Sequence, residues 1–361
     1  MIFIDGVQFS TRSSHTQSHS QGSDTLTTLM EHPFLASTSH SLKAMQERKI
    51  SITEDCGSQR PIQSRWVYIF QREYATVDPA LVDFVGTDEA TTCVGLVIRN
   101  RKNGMTSVAH IDSPNIVDIG ISQMLSLLVG HTSEINLDVH LIGGFEDVPS
   151  KHANGTNRSR RSHEKLDGYS YPLCTKIIET LSRRQETFHI QTLLILGHNT
   201  KRDSEGNACP IFSGFMIETA TGSVVPAGFD RSTRCPDEIV RRIRIGASQE
   251  DPAWDGKLLE TYDTRTDQFV IAPASWTLYR LHMALTLQHL SDAEILLMCS
   301  TSPSAEGPDF VDHERRQWDY LIKHPEWQYT FPMRQPRIFE RTAGGWKRCS
   351  VSPDDFRSTS G

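Results

Sequence analysis

Apolar residues enter this chain in short bursts, and that pattern constrains its fold more than any other feature. Trp66 to Tyr74, Cys93 to Arg99, Thr106 to Ile111, Ile190 to Leu196, Phe212 to Glu218, Val224 to Phe229 and Gln268 to Ala272 are strand-length runs. Their β-branched and aromatic content, bounded by turn residues, predicts strands. Leu137, Val139 and Leu141 alternate with Asp138 and His140, the period of a half-buried strand. Helical spacing recurs between the bursts, where Ile121, Met124, Leu125 and Leu128 share one face. Leu173 to Arg184, Pro236 to Ile245 and Asp309 to Lys323 predict further helices, and Ser41 to Lys49 a short one. Strands that come in runs, without strict β-α-β alternation, predict an α+β fold. No run approaches the ~20 apolar residues that span a bilayer, so no membrane partner is expected.

Polar stretches divide the chain. Eleven of the nineteen residues from Ser10 to Thr28 are Ser or Thr, and Leu26 is the sole aliphatic one. Such a segment has too little to bury to offset its ordering entropy, which predicts disorder over 10–28. The expected organisation is an N-terminal strand over 1–9, that segment, one domain over 29–350, and a flexible tail over 351–361. Loop inserts are expected at 51–64 and 146–168. The second insert carries Arg158, Arg160, Arg161 and Lys165, and reads as a solvated basic loop. With 37 basic against 44 acidic residues, the charge of −7 argues against a nucleic-acid partner. Asp5 interrupts the first apolar residues and no basic stretch precedes them, unlike a secretory signal. Seven cysteines, with no C-x-x-C pair, fit a reducing compartment, the cytoplasm or nucleus.

One segment has the makings of a reactive site: Gly86-Thr87-Asp88-Glu89-Ala90-Thr91-Thr92-Cys93-Val94-Gly95. A polar, acidic turn runs straight into an apolar strand, with Cys93 at the junction. Such a turn holds a sulfur at the end of a buried strand and can aim backbone N–H groups at a developing oxyanion. Downstream, the polar Asn100 to Asn103 turn leads to Thr106-Ser107-Val108-Ala109-His110. A hairpin turn centred between Arg101 and Lys102 sets Cys93 opposite His110, close enough for a thiolate–imidazolium pair. A two-residue turn at Asn103-Gly104 sets Cys93 opposite Pro114 instead.

These residues carry a resemblance. Val67 to Asn115 resembles the protein N-terminal asparagine amidohydrolase family, and Gly86 to Cys93 is the strongest match. Leu137 to Phe145, Ala272 to Thr277 and Ser300 to Pro303 match as well, so the resemblance covers roughly residues 66 to 350. A more distant likeness is to the chemotaxis glutamine deamidases and deamidating toxins. Together they imply a layered α/β sandwich with mostly antiparallel sheets flanked by helices.

The family resemblance implies hydrolysis of the side-chain amide of an N-terminal asparagine, with Cys93 as nucleophile. His110 would be its acid–base partner, and Thr87 falls where the chemotaxis enzymes place a supporting threonine. Thr87 could equally stabilise the turn. Thr92 lies beside the expected oxyanion site. Asp88 and Glu89 are the nearest acids that could read a substrate α-ammonium, and Ser302 could line the pocket mouth. No metal or organic cofactor is implied. The expected partners are proteins or peptides beginning with asparagine. A deamidase of another amide, or a thiol protease or acyltransferase, would use similar groups. Papain-like enzymes, however, set the histidine ~130–150 residues beyond the cysteine, against a close Cys93–His110 pair.

Overall fold

Two sheets stacked between helices build this protein. The computed structural model describes residues 1–10, 21–51, 65–129, 135–148, 168–343 and 345–349. Most of both predicted inserts, residues 11–20 of the Ser/Thr-rich segment and the tail lie outside the described residues.

The strands are β1 (Ile2–Ile4), β2 (Val7–Gln8), β3 (Arg48–Ile50), β4 (Trp66–Tyr68), β5 (Glu73–Val77), β6 (Phe84–Thr87), β7 (Val94–Asn100), β8 (Thr106–Ile111), β9 (Asn136–Gly143), β10 (Thr187–Leu194), β11 (Thr200–Arg202), β12 (Ala208–Pro210), β13 (Phe215–Glu218), β14 (Val224–Phe229), β15 (Leu259–Asp263), β16 (Gln268–Ile271), β17 (Arg337–Thr342) and β18 (Gly345–Arg348). The helices are α1 (Gln21–Met30), α2 (Pro33–Lys43), α3 (Val117–Leu125), α4 (Ser170–Arg183), α5 (Glu238–Glu250), α6 (Leu278–Leu287), α7 (Asp292–Cys299), α8 (Phe310–Lys323) and α9 (Trp327–Thr330).

An eleven-stranded sheet runs in the order β18-β17-β16-β15-β5-β8-β7-β9-β10-β1-β2, and a five-stranded sheet in the order β3-β14-β13-β6-β4. In the large sheet the pairs β15–β5, β9–β10 and β10–β1 are parallel and the other neighbours antiparallel. This is the α+β layering that the sequence predicts. Alternation along β7 and β8 divides the core. Val94, Leu96, Ile98, Ala109 and Ile111 pack with residues of α1 to α4. Val97 and Val108 face the other way, into a core shared with Val85, Phe215, Ile217 and residues of α5, α6 and α8. No helix among the described residues is long and apolar enough to cross a membrane.

Three expectations need correction. The run from Trp66 to Tyr74 is two strands, β4 in the small sheet and β5 in the large one. Between them Arg72 adopts φ 62, and its N–H donates to His110 O at 2.8 Å, so the chain changes sheets at a tight turn. The predicted helix over Ser41 to Lys49 lies earlier. α2 begins with Pro33, a residue pre-set for a first helical turn, and ends at Lys43 before β3. Disorder over 10–28 fails for residues 21–28, which belong to α1. Its apolar face continues past Thr28, so Leu26 and Leu29 enter the core together with Leu35 of α2. The hydroxyl residues lie mainly around that face, and Thr27 and Thr28 return hydrogen bonds to backbone carbonyls one turn earlier.

Leu29 is 0% exposed, so Leu29→Ala should cost about 2–5 kcal/mol through lost transfer energy and a cavity. Urea unfolding monitored by circular dichroism measures this, and an unchanged midpoint would show that α1 does not contribute to the core.

Candidate active site

The chain crosses between the sheets in six residues. β6 ends at Thr87 in the small sheet, and β7 begins at Val94 in the large one. Glu89, at φ 62, turns the chain, and Ala90 N–H donates to Ser213 O at 2.8 Å. Cys93 therefore sits at the entry to β7, 9% exposed.

The β7–β8 register pairs Val94 with Ile111 and Gly95 with His110. Cys93 thus opposes Asp112 when the ladder is continued by one residue, and neither register considered from the sequence is the observed one. The reason is a longer turn. Asn100 N–H donates to Met105 O at 2.9 Å, and Gly104 N–H to Asn100 O at 2.9 Å. Asn100 Oδ1 accepts from Lys102 N–H, Asn103 Oδ1 from Met105 N–H, and Gly104 takes the left-handed conformation at φ 75. His110 is consequently diagonal to Cys93 on one sheet face. Diagonal neighbours have Cα atoms ~7–8 Å apart, within reach of longer side chains. The residue directly opposite His110 is Gly95, where a Cβ would lie 2.1 Å from Phe215 Cε1. A glycine there lets the small sheet approach the face that carries Cys93 and His110.

Cys93 and His110 line one cleft of about 390 Å³. His110 is buried, its Nδ1 lies 2.8 Å from Thr87 Oγ1, and its Nε2 has no hydrogen-bond partner among the described residues. Thr87 Oγ1 can donate to Asp88 O at 3.5 Å, which leaves it free to accept from Nδ1–H. That assignment puts the imidazole proton on Nδ1 and leaves Nε2 as an open base. Burial pulls the imidazole down to about 4, against the pull of Glu89. Burial pushes the Cys93 thiol well up, Asp112 and Glu306 push the same way, and a hydrogen bond with Thr92 opposes them. Both shifts favour a neutral thiol and a neutral imidazole over the thiolate–imidazolium pair expected from sequence.

The other expected residues divide. Thr92 lines the cleft and its Oγ1 lies 3.1 Å from Thr301 Oγ1. Asp88 is not among the lining residues. Its carboxylate accepts from Tyr68 Oη at 2.6 Å, Phe229 N–H at 2.7 Å and Arg234 Nη2 at 3.0 Å, so it pins the turn to the small sheet. Glu89 does line the cleft, but Arg242 holds it bidentately at 2.9 and 3.0 Å and Arg234 at 2.8 Å. Those cations keep its carboxyl below the usual carboxylate range despite burial. Ser302 is turned away: its hydroxyl donates to Thr91 Oγ1 at 3.0 Å, while Ser300 and Thr301 face the cleft.

Sequence reasoning missed Asp112, Glu306 and Glu314, which also line the cleft. Asp112 was findable, because it lies two residues after His110 and so shares its face if the strand continues. The arginines of the Glu89 network come from distant segments and carry no local signal. Glu89, Asp309 and His313 bring ligand atoms within 4.8 Å of one another, the makings of a metal site. Arg234 Nη1 already contacts all three, at 2.8, 2.9 and 3.2 Å, so a guanidinium takes the place of a cation.

A raised thiol has a directional consequence. Without substrate, Cys93 alkylation by iodoacetamide should be slow at pH 7 and keep climbing above pH ~8.5, the range of a free thiol. Peptide mapping of the alkylated protein reads the rate, and a fast rate that is flat from pH 5 to 8 would instead indicate a resting ion pair.

Comparison with known proteins bears on what this cleft does. The family model described as protein N-terminal asparagine amidohydrolase matches residues 57–348. The Arabidopsis thaliana protein of that name is 58% identical over 352 residues, covering 97% of this chain and all of the relative. The Sus scrofa and Homo sapiens proteins of that name are 31% and 30% identical over 291 residues, covering 79% of this chain and 84% of each relative. The family match takes in strands β4 to β18 and every residue of the Cys93–His110 cleft, and the chain belongs to the protein N-terminal asparagine amidohydrolase family.

Proposed function

We propose that this protein hydrolyses the side-chain amide of asparagine at the N-terminus of proteins or peptides, giving aspartate and ammonia through a thioester on Cys93. The observation that carries the reading is the open Nε2 of His110, fixed by Thr87, in the same cleft as the Cys93 thiol.

The neutral pair suits general-base attack. Nε2 takes the thiol proton as Sγ bonds to the amide carbon, and backbone N–H groups at Thr92 and Cys93 would hold the oxyanion. As the tetrahedral intermediate collapses, the imidazolium returns that proton to the departing nitrogen and ammonia leaves. Water then gives a proton to Nε2 as its oxygen attacks the thioester carbon. The C–S bond breaks, the sulfur recovers the proton, and a β-carboxyl remains. Thr87 keeps Nε2 unprotonated in the resting state. A new N-terminal aspartate is a changed degradation signal, so the role that fits is in an N-degron pathway of the cytoplasm or nucleus.

Three peptides identical after residue one test the reading: N-terminal asparagine, N-terminal glutamine and acetyl-asparagine. Ammonia release should be confined to the first. The extra methylene of glutamine misplaces the reacting carbon and should cost ~100-fold, mostly in kcat. Cys93→Ala should be inactive yet folded, and His110→Ala reduced ~10²–10⁴-fold. Comparable kcat/KM for all three peptides, or an active Cys93→Ala, would sink the proposal.

A further inference from the structure

An enzyme confined to N-terminal asparagine must read a free α-ammonium, and the two acids nearest the nucleophile in sequence are poorly placed to do so. Asp88 does not line the cleft, and Glu89 is neutralised by two arginines. Asp309 is likewise paired with Arg234 and His313. Three other acids line the cleft: Asp112, Glu306 and Glu314.

Asp112 differs from the other two in position and in satisfaction. It is the cross-strand position opposite Cys93, by one further step of the observed ladder, and so shares the sheet face of Cys93 and His110. Of the carboxylates acting on Cys93, Asp112 exerts the larger effect and Glu306 the smaller. Its side chain is 5% exposed, yet among the described residues it accepts one hydrogen bond from another side chain, Gln71 Nε2 at 3.1 Å. Oδ1 is buried without a hydrogen bond among the described residues and meets Arg72 Nη1 only in a long ion pair at 3.8 Å. Arg72 supplies charge without a hydrogen bond, so this buried carboxylate keeps acceptor capacity that an N–H donor carrying positive charge can use. Glu306 and Glu314 also accept one hydrogen bond each, from Ser300 and Gln317, but among the described residues neither has an oxygen buried without a hydrogen bond.

We propose that Asp112 receives the α-ammonium of the substrate and is the residue that restricts this enzyme to N-terminal asparagine. The inference rests on the deamidase reading above. In asparagine the α-nitrogen is three bonds from the amide carbon, so the two lie at most about 4 Å apart. An acid beside the sulfur therefore suits the ammonium when the sulfur is in attacking position. The pairing also offsets the negative charge that helps keep the thiol protonated, so the substrate amine favours attack as well as binding.

The test compares two peptides on the full-length protein: one beginning with asparagine, the other with a succinamoyl cap, which is asparagine lacking only its α-amine. Wild type should prefer the amine by ~100-fold or more in kcat/KM, as for a desolvated charge pair. Asp112→Asn should lose ~100-fold on the asparagine peptide and little on the succinamoyl peptide, so the preference collapses. Asp112→Glu should keep the preference with a lower kcat. Glu306→Gln and Glu314→Gln should keep it too, and they test the assignment even if Asp112→Asn does not fold. The proposal is overturned if Asp112→Asn retains the preference, or if it collapses in either glutamate variant. Equal wild-type rates on the two peptides would overturn the proposal and leave the deamidation intact. No wild-type turnover of either would remove the deamidase reading and the inference with it.

Discussion

The carboxylate of Glu89 is the point on which the candidate site depends. It belongs to the turn that delivers Cys93, and it holds a left-handed backbone conformation that a side chain of its size seldom adopts. Arg242 from α5 grips it bidentately, Arg234 adds a third contact, and His313 from α8 approaches at 3.2 Å. Removing one member of such a buried network leaves an unpaired charge, which costs ~3–5 kcal/mol in comparable cases. The turn is therefore clamped from two helices that lie more than a hundred residues downstream. Cys93, on an irregular segment, gains a fixed position from this clamp.

A second buried pair supports the same wall. Glu73 and Arg241 are both 0% exposed and meet at 2.6 Å, and Arg241 also donates to Tyr68 O at 2.6 Å. This joins α5 to the place where the chain changes from the small sheet to the large one. The Thr87–His110 hydrogen bond crosses the same gap, since Thr87 ends β6 in one sheet and His110 lies in β8 of the other. The His110 ring is thus oriented by the stacking of the sheets. Gly95 makes that stacking close, for a Cβ there would lie 2.1 Å from a ring carbon of Phe215 in the small sheet.

Much of this was legible in the sequence where the signal is local. The alternation of β9, the apolar face of α3 and the polar turn running into β7 all follow from spacing, because burial on one face imposes a period. Thr87, Cys93 and His110 were recognisable through the resemblance, and two of them lie on a single hairpin. What failed was decided by competition between local options or by distant partners. The Asn100 to Gly104 segment offers several turns, and the side-chain bonds of Asn100 and Asn103 select the four-residue one. α1 was lost in a count of hydroxyl residues that stopped short of Leu29. Asp88 looked like a substrate anchor because sequence shows neither Tyr68, Phe229 nor Arg234 converging on it. The burial that favours the neutral forms of Cys93 and His110 carries no local signal either, since it is a property of the whole packed cleft.

The central claim is that Cys93 carries the substrate as a thioester. It is tested most directly by mixing equimolar enzyme and an asparagine-starting peptide, quenching with acid through the first turnover, and mapping the protein by mass spectrometry. The account predicts a transient adduct on the Cys93 peptide equal to the substrate mass less ammonia, rising before the aspartate product and absent in Cys93→Ala. Complete conversion of the peptide with Cys93 unmodified at every time, and undiminished in Cys93→Ala, would contradict it.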